Sequence, residues 1–181
     1  MSGDLRMDNV DRAFAVFDVD GDGVIGWEDF SAAARGVGRE FGLGVEAPQV
    51  RNLVAAYREV WAYVAGADLD GDGVVSRGEF REAHESGRLS AAELVEKWLV
   101  VSGRNFEVAD RDGDGALDGS GFAGIYRGSG VTDPQVAAIA FAGMDVDGDG
   151  RVDRVEFQTH VRGFFTAEDT SVKGARMLSG G

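Results

Sequence analysis

Carboxylates recur in this chain at a spacing suited to gripping a hard divalent cation. The hexapeptide Asp-x-Asp-Gly-Asp-Gly occurs four times, beginning at Asp18, Asp68, Asp110 and Asp145. In each copy, acidic oxygens fall at positions 1, 3 and 5 of a twelve-residue loop. The glycine at position 6 lets the backbone turn sharply enough for those oxygens to converge on one ion. Position 8 is apolar every time, as Ile25, Val75, Leu117 and Val152. Such residues can join two loops back to back through a short two-stranded ribbon, and the carbonyl of position 7 (Val24, Val74, Ala116, Arg151) then faces the ion.

The four loops are unequal as ligand sets. A tight calcium loop supplies about seven oxygens, two of them from one bidentate glutamate at position 12. Loop four has it, with Asp145, Asp147, Asp149, the Arg151 carbonyl, Asp153 at position 9 and Glu156. Loop two offers Asp68, Asp70, Asp72, the Val74 carbonyl, Ser76 acting through water, and Glu79. Loop one offers Asp18, Asp20, Asp22 and the Val24 carbonyl but closes on Asp29, one methylene short, which moves its preference toward six-coordinate magnesium. Loop three keeps Asp110, Asp112, Asp114, the Ala116 carbonyl and Asp118, yet its twelfth residue is Gly121. It is expected to be weak or silent and to serve mainly as the ribbon partner of loop four. The expected load is about three calcium ions, with magnesium competing at loop one and as an alternative at loop three.

The charge balance fits this reading. Of the 32 acidic residues in the 181-residue chain, 17 occupy those loop positions, leaving 15 against 18 basic residues. The net charge of −14 therefore belongs to the sites, and three divalent ions would bring it to −8. Loading should relieve self-repulsion and tighten the fold. No basic cluster stands out, which argues against nucleic acid as a partner. The absence of cysteine excludes thiolate metal sites and thiol catalysis, and no nucleophile–base set or phosphate loop is visible, so the chain is not expected to be an enzyme. No apolar run reaches about 18 residues, and Met1-Ser2-Gly3-Asp4 has no basic flank, so a cytoplasmic protein without membrane insertion is expected. Arginine outnumbers lysine 16 to 2, a composition suggestive of a bacterial source.

Helical periodicity flanks every loop. Val10, Phe14 and Phe17 share a face before loop one, and Phe30, Ala34, Val37 and Phe41 share one after it. Pro48 suits the first turn of a long helix striped by Val50, Leu53, Val54, Tyr57, Val60, Trp61 and Val64. Ser90 with Glu93 reads as a capping box for a helix carrying Leu94, Trp98, Val101 and Phe106. A Gly-Ser-Gly break at 128–130 precedes a further helix start around Asp133-Pro134, and Phe141 and Met144 lead into loop four. His84 and His160 fall on core-facing positions, and Trp27, Trp61 and Trp98 read as core or loop-edge aromatics.

The four loops carry the EF-hand pattern. Their starts lie 50, 42 and 35 residues apart, unlike the near-equal gaps of calmodulin. The chain more closely resembles the sarcoplasmic calcium-binding proteins, especially the bacterial calerythrin type. The shared features are length, the long first gap, a first loop ending in Asp29-Phe30, and the Arg-x-Phe-Phe-Thr-x-Glu-Asp stretch from Arg162 to Asp169. That resemblance implies an all-α fold in which four helix-loop-helix units form two pairs, packed face to face into one compact globule, with the C-terminal stretch laid back on the body. It also implies that a position-12 aspartate such as Asp29 still takes calcium. The expected organisation is an N-terminal pair over residues 1–88, a C-terminal pair over 89–165 and a tail over 166–181. Of the four methionines only Met144 flanks a loop, so a flexible methionine-lined groove is absent from the pattern. A monomeric intracellular calcium buffer or transporter is therefore favoured. The alternative is a calcium sensor that exposes an apolar face to a protein partner.

Overall fold

A computed structural model describes residues 2–166, with side chains over 9–163. Helix α1 (Ser2–Phe17) enters loop one and α2 (Trp27–Glu40) leaves it; α3 (Pro48–Val64), extended by a single 3-10 turn at Ala65–Ala67, enters loop two and α4 (Arg77–Glu85) leaves it. Helices α5 (Ala91–Ala109) and α6 (Gly119–Gly128) flank loop three, and α7 (Pro134–Met144) and α8 (Arg154–Thr166) flank loop four. The expected docking of Arg162 to Asp169 and the tail at 166–181 fall largely outside the described residues.

Short strands form where position 8 lies. β1 (Val24–Ile25) pairs antiparallel with β2 (Val75–Ser76), setting Ile25 opposite Val75. β3 (Ala116–Leu117) pairs likewise with β4 (Val152–Asp153), setting Leu117 opposite Val152. All four residues are buried, so each ribbon ties two loops together on an apolar seam.

Helix starts follow local chemistry. Pro48 stands in the first turn of α3, where its missing N–H costs nothing. Asp133 caps α7 by accepting from Gln135 N at 2.9 Å. Ser90 caps α5, accepting from Glu93 N at 3.4 Å, but the return half of the expected box is diverted: the Tyr63 hydroxyl donates to Glu93 Oε2 at 2.7 Å. The break at 128–130 also needs correction. Gly128 is the last residue of α6, and the turn falls on Ser129 and Gly130.

Gly128 is small because α2 crosses it. A Cβ on Gly36 would stand 2.0 Å from the Gly128 carbonyl oxygen, and one on Gly128 would stand 2.5 Å from Val37 Cα. A Cβ on Gly124 would meet the Phe41 ring at 2.6 Å. Exit helices of loops one and three thus touch backbone to backbone. Around this crossing one hydrophobic cluster runs through both halves of the chain. Trp98 joins them, its ring 5.0 Å from Phe17 and 5.8 Å from Tyr57. A cavity of about 110 Å³ lies at the same junction, lined in part by Phe17, Tyr57, Trp98, Asn105, Tyr126 and Phe157. Of the α3 stripe, Val50, Leu53, Tyr57, Val60 and Val64 are buried and Val54 and Trp61 half-buried; Phe106, Phe122 and Met144 are buried, as is His84, which meets Phe80 edge-on at 4.8 Å; His160 is half-buried.

Candidate metal centres

Each loop is built by its own carboxylates, which fold the backbone before any ion is considered. The position-1 aspartate accepts from the glycine N–H of position 6 in all four loops: Asp18 from Gly23 at 3.1 Å, Asp68 from Gly73 at 3.0 Å, Asp110 from Gly115 at 3.1 Å and Asp145 from Gly150 at 3.0 Å. Position 3 accepts from the N–H of position 5, and position 5 from that of position 7, as in Asp72 accepting from Val74 at 3.0 Å. These Asx-type bonds turn the chain tightly around the acid groups. Positions 4 and 6 are left-handed in every loop, with φ between 72° and 92°, so both glycines are required there. Sequence reasoning had singled out position 6 alone.

The acids gather as one ion would need. Oxygens of Asp18, Asp20 and Asp22 lie within 4.8 Å of one another, as do those of Asp68, Asp70 and Asp72, of Asp110, Asp112 and Asp114, and of Asp145, Asp147 and Glu156. Two oxygens sharing a calcium ion at 2.3–2.6 Å lie at most about 5.2 Å apart, so all four clusters meet that condition. In loop one the buried Asp18 Oδ1 has no hydrogen-bond partner, which leaves its full acceptor capacity for a cation.

Position 12 separates the loops. Glu79 Oε1 accepts from Leu69 N at 2.9 Å, and Oε2 accepts from Ser76 N at 2.8 Å and Ser76 Oγ at 2.7 Å. Glu156 repeats this with Val146 N at 2.9 Å and Asp153 N at 3.0 Å. In both, the carboxylate bridges the amides of positions 2 and 9 and closes the loop like a clasp. Asp29 spans the same pair, accepting from Val19 N at 2.9 Å and Gly26 N at 2.8 Å. It manages this with a shorter side chain by lying deeper, at 7% exposure. Burial raises the Asp29 pKa, partly offset by the amides of Gly26, Val19 and Asp20. The Ser76 hydroxyl, with the Leu69 and Ser76 amides, instead holds Glu79 down at about 2.

Loop three has no such clasp, because Gly121 carries no side chain. Its exit helix nevertheless starts in register: Asp118 Oδ1 accepts from Gly121 N at 2.7 Å and caps α6 in spite of the two glycines behind it. A second feature was not legible in the sequence. The Arg151 guanidinium, from loop four, reaches Asp114 through Nη1 to Oδ2 at 2.7 Å and Nη2 to Oδ1 at 2.9 Å, and the Ala116 carbonyl through Nη2 at 3.1 Å. This bidentate grip lowers the Asp114 pKa.

Helix, twelve-residue acidic loop, helix, repeated four times and joined in twos by ribbons, defines a protein of paired EF-hands. Comparison with known proteins agrees. A family model described as "EF-hand domain pair" matches residues 2–36, and one described as "EF hand" matches 67–83 and 137–161. A rice protein, probable calcium-binding protein CML16 of Oryza sativa subsp. japonica, is 33% identical over 151 residues, covering 82% of this chain and 75% of its own. Calerythrin of Saccharopolyspora erythraea is 27% identical over 168 residues, covering 91% and 94%. The structure of a Streptomyces coelicolor calcium-binding protein, described in terms of prokaryotic calcium-mediated regulation, superposes with a TM-score of 0.76 at 32% identity, over 89% of this chain and 98% of that one. The chain belongs to the EF-hand family of calcium-binding proteins and is calerythrin-like. Among the described residues no helix is long and apolar enough to cross a membrane.

Proposed function

We propose that the chain is a reversible calcium buffer that holds three ions, at loops one, two and four. The ligands are Asp18, Asp20, Asp22, the Val24 carbonyl and Asp29; Asp68, Asp70, Asp72, the Val74 carbonyl, Ser76 through water and Glu79; and Asp145, Asp147, Asp149, the Arg151 carbonyl, Asp153 and Glu156. In loop four each oxygen of Glu156 uses one lone pair on an amide and keeps the other for the ion; in loop two Glu79 Oε2 also accepts from the Ser76 hydroxyl, a bond that an ion would replace. Loop three, with Asp110, Asp112, Asp114, Ala116 and Asp118 but no clasp, is structural. Magnesium competes at loop one, where the shorter Asp29 suits a six-coordinate ion.

The observation that carries the buffer reading is the continuous core between the two pairs, residues 1–88 and 89–165. Phe17, Phe30, Tyr57 and Trp98 interlock across it, and Met144 is fully buried rather than set in an open groove. A closed apolar interface leaves calcium little to expose. The sensor reading is favoured by one comparison, the Streptomyces coelicolor protein described in terms of calcium-mediated regulation. An apolar dye separates the two. A buffer, cytoplasmic and monomeric, binds less dye with calcium than in millimolar magnesium, and dye binding that rises with calcium would replace the buffer by a sensor with a protein partner.

A further inference from the structure

We propose that Arg151 is the resident cation of loop three: its guanidinium takes the position-5 carboxylate and the position-7 carbonyl that a metal ion would use, and so keeps that loop closed to calcium. This rests on the reading that loop three takes no ion of its own, and it adds a cause beyond the missing clasp.

The pair lies at the surface, the Arg151 side chain 40% and that of Asp114 39% exposed, but its contacts are those of a ligand set. Both oxygens of Asp114 and the carbonyl oxygen of Ala116 point at one guanidinium, in the fork geometry that arginine alone supplies. Asp112 of loop three and Asp149 of loop four add to the field that stabilises the cation. Positions 5 and 7 of loops one and two are Asp22 with Val24 and Asp72 with Val74, and among the described residues no basic side chain is paired to Asp22 or Asp72. The arginine is delivered by the ribbon: Leu117 opposite Val152 sets residue 151 beside the acids of loop three.

One residue therefore serves two loops. The Arg151 carbonyl stands at position 7 of loop four, and its side chain closes loop three. An ion in loop four fixes the backbone from which the guanidinium projects, so filling loop four also organises loop three.

Calcium titration calorimetry on chelator-stripped protein tests this with Arg151→Val, Gly121→Glu and the double variant. Valine is the residue that loops one and two carry at position 7, so the loop-four carbonyl ligand is kept. Removing a positive charge beside an incoming divalent ion should strengthen loop-three binding about tenfold or more, so the double variant takes its fourth calcium at least that much more tightly than Gly121→Glu alone. Fourth-site affinities within about twofold of each other would overturn the proposal. A fourth equivalent already present in the wild type would end the three-ion reading, and the comparison of Arg151→Val with wild type at that fourth site would then decide the role of the arginine. Should Arg151→Val fail to fold, NMR of the Arg151 Nη protons decides instead. Hindered rotation that Asp114→Asn releases supports the grip, and free rotation in the wild type overturns it.

Discussion

Replacing Gly36 by alanine should loosen the whole molecule, although the site lies in a helix interior, where alanine is normally the better residue. The new Cβ would stand 2.0 Å from the Gly128 carbonyl oxygen, and that oxygen belongs to backbone that cannot rotate away. Restoring ordinary contact requires α2 and α6 to part by about 1.4 Å, and a gap of that size forfeits a quarter or more of the dispersion energy of every pair it separates. Phe30, Ala33 and Val37 on α2 and Ile125 and Tyr126 on α6 are all buried, so the loss is not local. Overpacking of this kind costs about 1–3 kcal/mol before those losses, while the helix propensity gained from alanine returns about 1 kcal/mol. A net destabilisation of about 2 kcal/mol follows, or roughly 4–8 °C in Tm for a chain of this length. Gly103→Ala is the control. It too lies inside a helix, but its Cβ would meet Gln158 Nε2 at an ordinary 3.7 Å, so it should be neutral or stabilising by up to about 1 kcal/mol. Urea unfolding of the calcium-loaded proteins reads both. Equal stability of Gly36→Ala and Gly103→Ala would mean that the two exit helices do not meet as closely as described.

Further outcomes follow from the loops. Glu79→Gln and Glu156→Gln should each remove one calcium equivalent at about 10 µM free calcium, counted by titration calorimetry, because each breaks a clasp. Asp29→Glu should shift loop one toward calcium over magnesium. Trp27, at position 10 of that loop with the Arg58 guanidinium 4.4 Å from its ring centroid, reports the change by fluorescence in a magnesium competition. In the metal-free protein Glu79, held at about 2, should keep its charge to lower pH than Asp29, which burial raises above 3.8. This reverses the intrinsic order of the two residue types. Since the folded-state pKa of Glu79 is depressed, the stability it contributes is full above about 4.5 and is lost as pH falls toward 2. Carbon-13 NMR titration of the two carboxyls checks the order.

The loops were legible because their chemistry is local. Each oxygen's place falls within eleven residues of Asp18, Asp68, Asp110 or Asp145, the position-6 glycine follows from the turn those oxygens need, and position 8 announced the ribbons. What escaped the sequence is long-range. Gly36 and Gly128 lie 92 residues apart, and nothing in the periodicity of either helix says that a glycine faces another backbone. Gly128 in particular reads as punctuation when it is a packing surface. Arg151 was readable only as a carbonyl donor, because its partners sit 35 and 37 residues upstream and meet it through the ribbon register. Glu93 matched a capping box, but the Tyr63 hydroxyl, 30 residues upstream, competes for it.

The most direct test of the central claim is equilibrium dialysis of chelator-stripped protein against calcium, with and without millimolar magnesium. Three ions per chain, all released by chelator, with one of the three displaced by magnesium, is the predicted result. Four ions per chain, or a count unchanged by the loss of Glu79 and Glu156, would contradict it.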